Sequence, residues 1–435
     1  MKMKIKYDIL NDYDPKENLP AYIFPTIDLL EDANLVFPIH KVIEIKEKLI
    51  SILQANNIDV WSLDATVGYT NTLYEITPLK GLRLDQLKNL YADLSFNLST
   101  PNISIEPIFD KTTIGLVVPN KEHIILPIKS VIDSDEFSKT HYELPLIIGQ
   151  TLTHKNIIVD LSEKKHILIS GATGQGKSVL LNVIIASLLY KKHPAELKFV
   201  LFDPLRIELN LYSTIEKHFL AKLAYGETNV VSDIQDVIET LRSLTYEVDK
   251  RFEMLLKANV RNIKEYNAMF RKRELNPSKG HRFMTYIVVI MDKYCDIATS
   301  EGETYIRRLV KNAHLVGIHL ILSIQCPSQD IIGEDVKNNF PVHIAFRAVS
   351  RQDSKIMLDD EGAERLCGNG DAIYKDELSK IRLQVPFIST DEVKKIIRHI
   401  GRQQGYDYAY LLPLPDDSPL LKYSLNDLNM PDGFV

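Results

Sequence analysis

Eight residues, GATGQGKS at Gly171–Ser178, follow the apolar run HILIS and precede the apolar stretch VLLNVIIASLLY. Glycines let a backbone fold tightly enough for successive N–H groups to converge on one anion, and a helix starting there adds the positive end of its dipole. In such a loop Gly171, Ala172, Thr173, Gly174, Gln175 and Gly176 wrap nucleotide phosphates, Lys177 reaches the β- and γ-phosphates, and the Ser178 hydroxyl ligates Mg²⁺. ATP and Mg²⁺ are therefore the expected cofactors. A second apolar run, YIVVIMD, ends in Asp292, a position from which a carboxylate holds Mg²⁺ through water. Many strands end in aspartate; one that follows a phosphate loop in a strand-rich chain marks the other half of the site.

Positioning these residues requires a sheet. The runs HILIS, LKFVLFD, YIVVIMD, IHLILSIQ and VHIAFRAV are short, apolar and β-branched, and they alternate with helical stretches, which predicts an α/β fold with a parallel sheet covered on both faces. A long helix is expected over Asp233–Ala258, with a capping box of Ser232 and Gln235 at its start. Before this region, HKVIEIKEKLISILQANN and RLDQLKNLYADLSFNL read as amphipathic helices among short strands, a small α+β unit. Trp61 reads as a core or half-buried strand residue. The expected division is an extended arm over 1–35, the α+β domain over 36–145, the ATPase domain over 146–410 and a flexible, proline-broken tail over 411–435.

A chain of 435 residues with 45% apolar and 25% charged content has room for two or three domains. Its net charge of -6 supplies no global basic field, so any DNA contact has to come from a local cluster. Cys295, Cys326 and Cys367 lie far apart with no zinc spacing, which fits reduced thiols and a cytoplasmic location. Neither a signal peptide nor a membrane span is read. Val179–Tyr190, the longest apolar stretch, is too short for a bilayer and is interrupted by Asn182 and Ser187.

Longer segments carry a resemblance. LIIGQTLTHKNIIVDLSEKKHILISGATGQGKSVLLN, ELKFVLFDPLRIELNLY, KANVRNIKEYN, GIHLILSIQCPSQDII, NNFPVHIAF and GAERLCGNGDAIY resemble, in order, the motor region of the FtsK/SpoIIIE DNA translocases. KKHPAELKFVLFDP and GRQQGYDYAYLLP are most similar to FtsK proteins of the Bacteroidetes type. The resemblance implies a RecA-like P-loop ATPase domain behind the family's alpha domain, a hexameric ring around double-stranded DNA, and ATP at subunit interfaces. It also implies a divergent copy, without the family's membrane-spanning and winged-helix parts.

Several positions depart from the family pattern. Lys293 stands where a glutamate normally polarises the attacking water, and an ammonium cannot accept that proton at neutral pH. Asp296 is a nearby carboxylate, and Lys293 itself could pair with a phosphate oxygen. By alignment the family's trans-acting arginine falls on His314, with Arg307 as a substitute two helical turns earlier. Cys326 replaces a pore arginine and Leu205 a lysine, while Arg351 and Lys355 match basic DNA-contacting positions. Arg271, Lys272 and Arg273 read as a solvated basic turn. The expectation is an ATP- and DNA-binding motor with impaired hydrolysis. Its alternatives are a non-hydrolysing paralogue that assembles with an active FtsK-like motor, and a coupling ATPase of a mobile element, membrane-associated through a partner.

Overall fold

The computed structural model describes residues 12–32, 37–79, 83–100, 102–108, 113–224, 228–296, 299–325 and 333–415. The small domain comprises α1 (Ile39–Ala55), β1 (Val60–Val67), β2 (Asn71–Pro78), α2 (Leu84–Asn89), α3 (Tyr91–Asn97), β3 (Ser104–Ile108) and β4 (Thr113–Pro119). Its strands form an antiparallel sheet in the order β1-β2-β4-β3. Val42, Leu49, Ile52 and Leu53 line the buried face of α1 and share a core with Tyr74, Ile76 and Leu116. The second helix expected from the sequence is two, broken at Leu90. Trp61 also differs from expectation and is 77% exposed. On the edge strand β1, Val60 and Ser62 pair with the consecutive residues Pro78 and Thr77, so Trp61 is the extra residue of a bulge and stands in water.

The large domain comprises β5 (Pro145–Thr151), β6 (Asn156–Asp160), β7 (Ile167–Ser170), α4 (Lys177–Lys191), β8 (Leu197–Phe202), β9 (Ala221–Lys222), α5 (Ile234–Ala258), β10 (Tyr286–Met291), α6 (Ser300–Asn312), β11 (Ile318–Ile324), β12 (Val342–Phe346), α7 (Arg351–Leu358), β13 (Asp371–Lys375), β14 (Lys380–Gln384) and β15 (Tyr410–Leu411). Nine of these strands form one sheet in the order β6-β5-β14-β13-β12-β7-β11-β10-β8. The five apolar runs are its parallel block, β12 to β8. The sheet as a whole is mixed, because β13, β14, β5 and β6 join it antiparallel. A short hairpin joins β13 to β14, leaving no room for the crossover that parallel strands need. Strand β7 lies inside the parallel block, so the loop after it opens at the C-terminal edge of the sheet, where open α/β sheets bind ligands.

Core packing moves three of the expected boundaries. Leu19, Tyr22 and Leu30 of the arm are buried in the large core, and the Tyr13 N–H donates to the Arg271 carbonyl at 2.6 Å. Leu126, Ile128, Val131, Phe137 and Leu144 belong to that core too, whereas the small core runs from Val42 to Val118, short of the expected limit near 145. The start of the tail is docked: β15 pairs with β9, Leu412 is buried, and Ser243 Oγ donates to the Pro413 carbonyl. The remainder of the tail, from 416, lies outside the described residues. Helix α5 is capped one residue later than expected, by Asp233, which accepts from the Gln235 N–H at 2.8 Å, because Ser232 Oγ is taken by Arg206.

The two domains are tied where β2 meets β14. Thr70 Oγ1 donates to Gln384 Oε1 at 2.7 Å, and Cys367 Sγ donates to Asn71 Oδ1 at 3.0 Å. Arg382 forms a buried ion pair with Asp371 at 2.7 Å beside the same asparagine. Each of these buried polar groups is satisfied by the others, which fixes the relative setting of the two sheets locally.

Candidate nucleotide-binding site

Beyond β7 the chain takes φ values of 151° at Gly171, 77° at Gly174 and 121° at Gly176, conformations that L side chains avoid. Space adds a second demand at Gly171, where a Cβ would lie 2.6 Å from the Cβ of Phe346 at the end of β12. Helix α4 then starts at Lys177, with Gly176 as N-cap, no side-chain cap and no acidic residue in its first turn. Its first N–H groups and its positive dipole end are left available to an anion.

Lys177 is 6% exposed, and its Nζ donates to the carbonyls of Gly171 at 2.6 Å and Ala172 at 2.9 Å. Burial pushes its ammonium down to about 8, against the pull of Asp292 and with the help of the Lys293 charge. An incoming phosphate would restore the charge-stabilising partner that burial removes. Asp292, directly after β10, is 1% exposed, and its Oδ2 has no hydrogen-bond partner among the described residues. Burial raises its pKa, Lys293 and Ser323 oppose that rise, and Glu208 and Asp203 add to it.

Asp203 is a residue the sequence reading passed over. It ends LKFVLFD as Asp292 ends YIVVIMD, and that parallel was the available signal. Asp203 is fully buried; its Oδ2 accepts from the N–H groups of Glu208 at 2.9 Å and Leu209 at 2.8 Å, while its Oδ1 is unpartnered among the described residues. Buried carboxylate oxygens without donors suit a hydrated divalent cation, and the half-buried Ser178 hydroxyl would complete the donor set. On these donors the site fits Mg²⁺.

Lys293 sits at φ 50° and is half-buried, so the chain leaves β10 in a left-handed turn at the residue after Asp292. Its charge lowers the pKa of both Lys177 and Asp292. The backbone over Tyr294–Asp296 is a 3-10 turn rather than strand, and the side chain of Asp296 lies outside the described residues. The loop also reaches its neighbours: Ala172 N–H donates to the Arg347 carbonyl and Gly370 N–H to the Gln175 carbonyl, both at 3.2 Å. Thr173 Oγ1 lies 3.5 Å from Gln325 Oε1.

Residues 127–329 match the FtsK/SpoIIIE family, and residues 24–120 match the FtsK alpha domain. The chain belongs to the FtsK/SpoIIIE family. It is 37% identical over 409 residues to the DNA translocase FtsK of Chlorobaculum tepidum, covering 91% of this chain and 50% of that protein. It is 34% identical over 401 residues to the DNA translocase SpoIIIE of Bacillus subtilis, covering 89% and 49%. The chain thus spans about half the length of the curated relatives it matches. Among solved structures it shares the fold of the pCW3 conjugation coupling protein TcpA, with a TM-score of 0.54 at 23% identity over 81% of this chain and 98% of that one. The cytoplasmic domain of the Type VII secretion ATPase EccC from Thermomonospora curvata gives 0.53 at 17% identity, over 67% and 36%. The fold is that of P-loop ATPases, with a mixed sheet and a small preceding domain.

The other FtsK-like positions fall away from the phosphate loop. Arg351 and Lys355 stand one turn apart on α7, both exposed, behind a capping box of Ser350 and Asp353. Lys355 pairs with Glu361 at 3.2 Å. Arg347, whose carbonyl meets the phosphate loop, lies just ahead of α7, so the loop and this basic helix share a short backbone connection. His314 lies past the end of α6, in the 3-10 turn Ala313–Val316, and not on one continuous helical face with Arg307. Its ring packs edge-on against His166 at 5.8 Å, and burial pushes it down to about 4, so it is neutral at pH 7. Arg307 is held by Glu303 and Asp335 of its own chain. Arg271 pairs with Glu196 at 3.5 Å and stacks over Phe283, so this member of the basic turn is a structural contact. Leu205 is exposed, and Cys326 lies outside the described residues. Among the described residues, no helix is long and apolar enough to cross a membrane.

Proposed function

We propose that this chain is an ATP- and duplex-DNA-binding motor segment of FtsK type that works as a ring and turns ATP over slowly. The observation that carries this reading is an uncapped helix start at Lys177 together with a buried Asp292 Oδ2 that has no partner among the described residues, while Lys293 occupies the next position. Lys177 and the loop N–H groups bind the phosphates. Ser178 and Asp292 would hold Mg²⁺, which would supply neutralising charge to the phosphates. Lys293 adds a cation beside them, strengthening binding while offering no base to the attacking water. Arg351 and Lys355 grip DNA phosphates without reading bases, and the Arg347 contact passes the state of the loop to α7.

A second reading is favoured by one observation, the neutral His314 at the position of the trans-acting arginine. In it the chain is a non-hydrolysing subunit that assembles with, or regulates, an active translocase. Steady-state ATP turnover by the purified chain, with and without long duplex DNA, separates the two. Slow, DNA-stimulated turnover that disappears in Lys177→Ala supports the motor. Tight ATP binding without turnover, restored only when an active FtsK motor is mixed in, selects the assembly subunit. Rapid turnover that ignores DNA would contradict both.

A further inference from the structure

We propose that the cleft between the small domain and α7 is a second phosphodiester-binding site, with which the small domain grips the same duplex as Arg351. The proposal rests on the reading that the chain binds duplex DNA and extends it to residues outside the ATPase domain. The cleft has a volume of about 510 Å³. Lys88, Tyr91 and Asn102 line it from the small domain, and Arg351, Glu364 and Arg365 line it from the other side. The break between α2 and α3 at Leu90 is what brings Lys88, in the last turn of α2, and Tyr91, the first residue of α3, to one wall.

The cleft gathers three cations that ion pairs leave largely unsatisfied. Several cations outside it are consumed by ion pairs: Arg308 with Asp249 at 2.6 Å, Lys337 with Asp359 at 2.6 Å and Lys380 with Asp360 at 2.6 Å. In the cleft, Lys88 and Arg351 have no ion-pair or hydrogen-bond partner among the described residues, and Arg365 engages Glu364 through Nε at 3.3 Å, leaving its two Nη groups unbonded. Glu364, whose other oxygen accepts from the Gly362 N–H at 2.7 Å, offsets one of the three cations and leaves the cleft net positive. Three cations against one engaged carboxylate, in a chain of net charge -6, make the local basic cluster that an acidic protein needs to bind a polyanion.

The geometry points to a phosphate backbone rather than to a small enclosed anion. The cations stand on two walls of an open cleft, and Arg351 belongs both to it and to the exposed face of α7. Asn102 adds an amide, a group that positions sugars and phosphates without reading sequence. The walls are held in register by the Thr70–Gln384 and Asn71–Cys367 hydrogen bonds and by the buried Arg382–Asp371 pair, so little ordering cost remains when DNA enters.

The test is fluorescence anisotropy of a labelled duplex with the full chain across a salt series, comparing wild type, Lys88→Ala, Arg365→Ala, the double variant and Lys88→Arg. Each lost phosphate contact should reduce the slope of log K against log salt by about 0.9 and weaken binding roughly threefold to tenfold. The double variant should lose about 1.8 from the slope, and Lys88→Arg should restore it. Lys88 is exposed, so its variant tests the proposal independently of folding. If the double variant keeps the wild-type slope while Arg351→Ala and Lys355→Ala lose theirs, the cleft is not a DNA site and the reading of α7 stands. If the wild-type chain binds no duplex at all, that broader reading falls and this inference falls with it.

Discussion

At the C-terminal ends of β7, β8 and β10 the buried polar groups include an ammonium and two carboxylates, whereas at the N-terminal ends of β7 and β11 they are histidines held neutral. Lys177, Asp292 and Asp203 make up the first set. His166, His314 and His319 make up the second, with ring centroids 5.8 and 6.3 Å from His166. Burial pushes all three imidazoles down, His314 and His319 to about 4. His166 Nδ1 accepts from the Leu320 N–H at 3.0 Å, and His319 Nδ1 donates to the Lys165 carbonyl at 2.8 Å. One edge of the sheet carries charges that a ligand would complete, and the other carries imidazoles that burial keeps uncharged, each with one ring nitrogen unpartnered among the described residues. That difference is why His314 cannot do the electrostatic work of an arginine at pH 7.

The comparison breaks most visibly at Lys177. Replacing it with alanine should weaken ATP binding by about 100-fold, since a buried charge-assisted contact is lost, as titration of a fluorescent ATP analogue will show. Asp292→Asn sharpens the contrast. Removing an unpaired buried charge should raise the melting temperature of the ligand-free protein, and loss of a metal ligand should shrink the stabilisation by ATP with Mg²⁺, with opposite signs of about 1–2 kcal/mol. A smaller effect separates the histidine end. Each imidazole has a folded pKa below its unfolded value near 6.5, so the unfolded chain binds more protons below that pH. This contribution to stability is full above about 6.5 and falls as pH drops from there towards about 4, by roughly 2 kcal/mol for each such imidazole at pH 5. Denaturant midpoints at pH 7.5 and 5 measure it, and His314→Leu should reduce the pH dependence. Trp61→Ala should cost less than about 0.5 kcal/mol, and the native fluorescence of this single tryptophan should be open to an added quencher.

What could be read in advance follows from how local each signal is. Gly171–Ser178 was legible because positive φ and close approach to β12 restrict the residue types, and those glycines stand in the sequence. The five parallel strands were legible because burial on both faces makes them continuous apolar runs. The antiparallel β13 and β14 were not, since DAIYK and KIRLQ carry charges at their ends and in Arg382, whose ion pair with Asp371 exists only after folding. Trp61 misled because a one-residue bulge reverses the expected face. Leu19, Tyr22 and Leu412 sit among prolines that hide their burial in the large core. The cleft of Lys88, Arg351 and Arg365 joins residues far apart in the chain, which spacing alone cannot bring together.

The central claim is that Lys293 slows hydrolysis while strengthening nucleotide binding, and ATP turnover by Lys293→Glu beside wild type, at saturating duplex DNA, tests it most directly. The account predicts turnover at least about tenfold faster in the variant, within the range by which a positioned general base acts, together with weaker ATP binding. A variant that turns ATP over no faster than wild type, or that binds it more tightly, would contradict it.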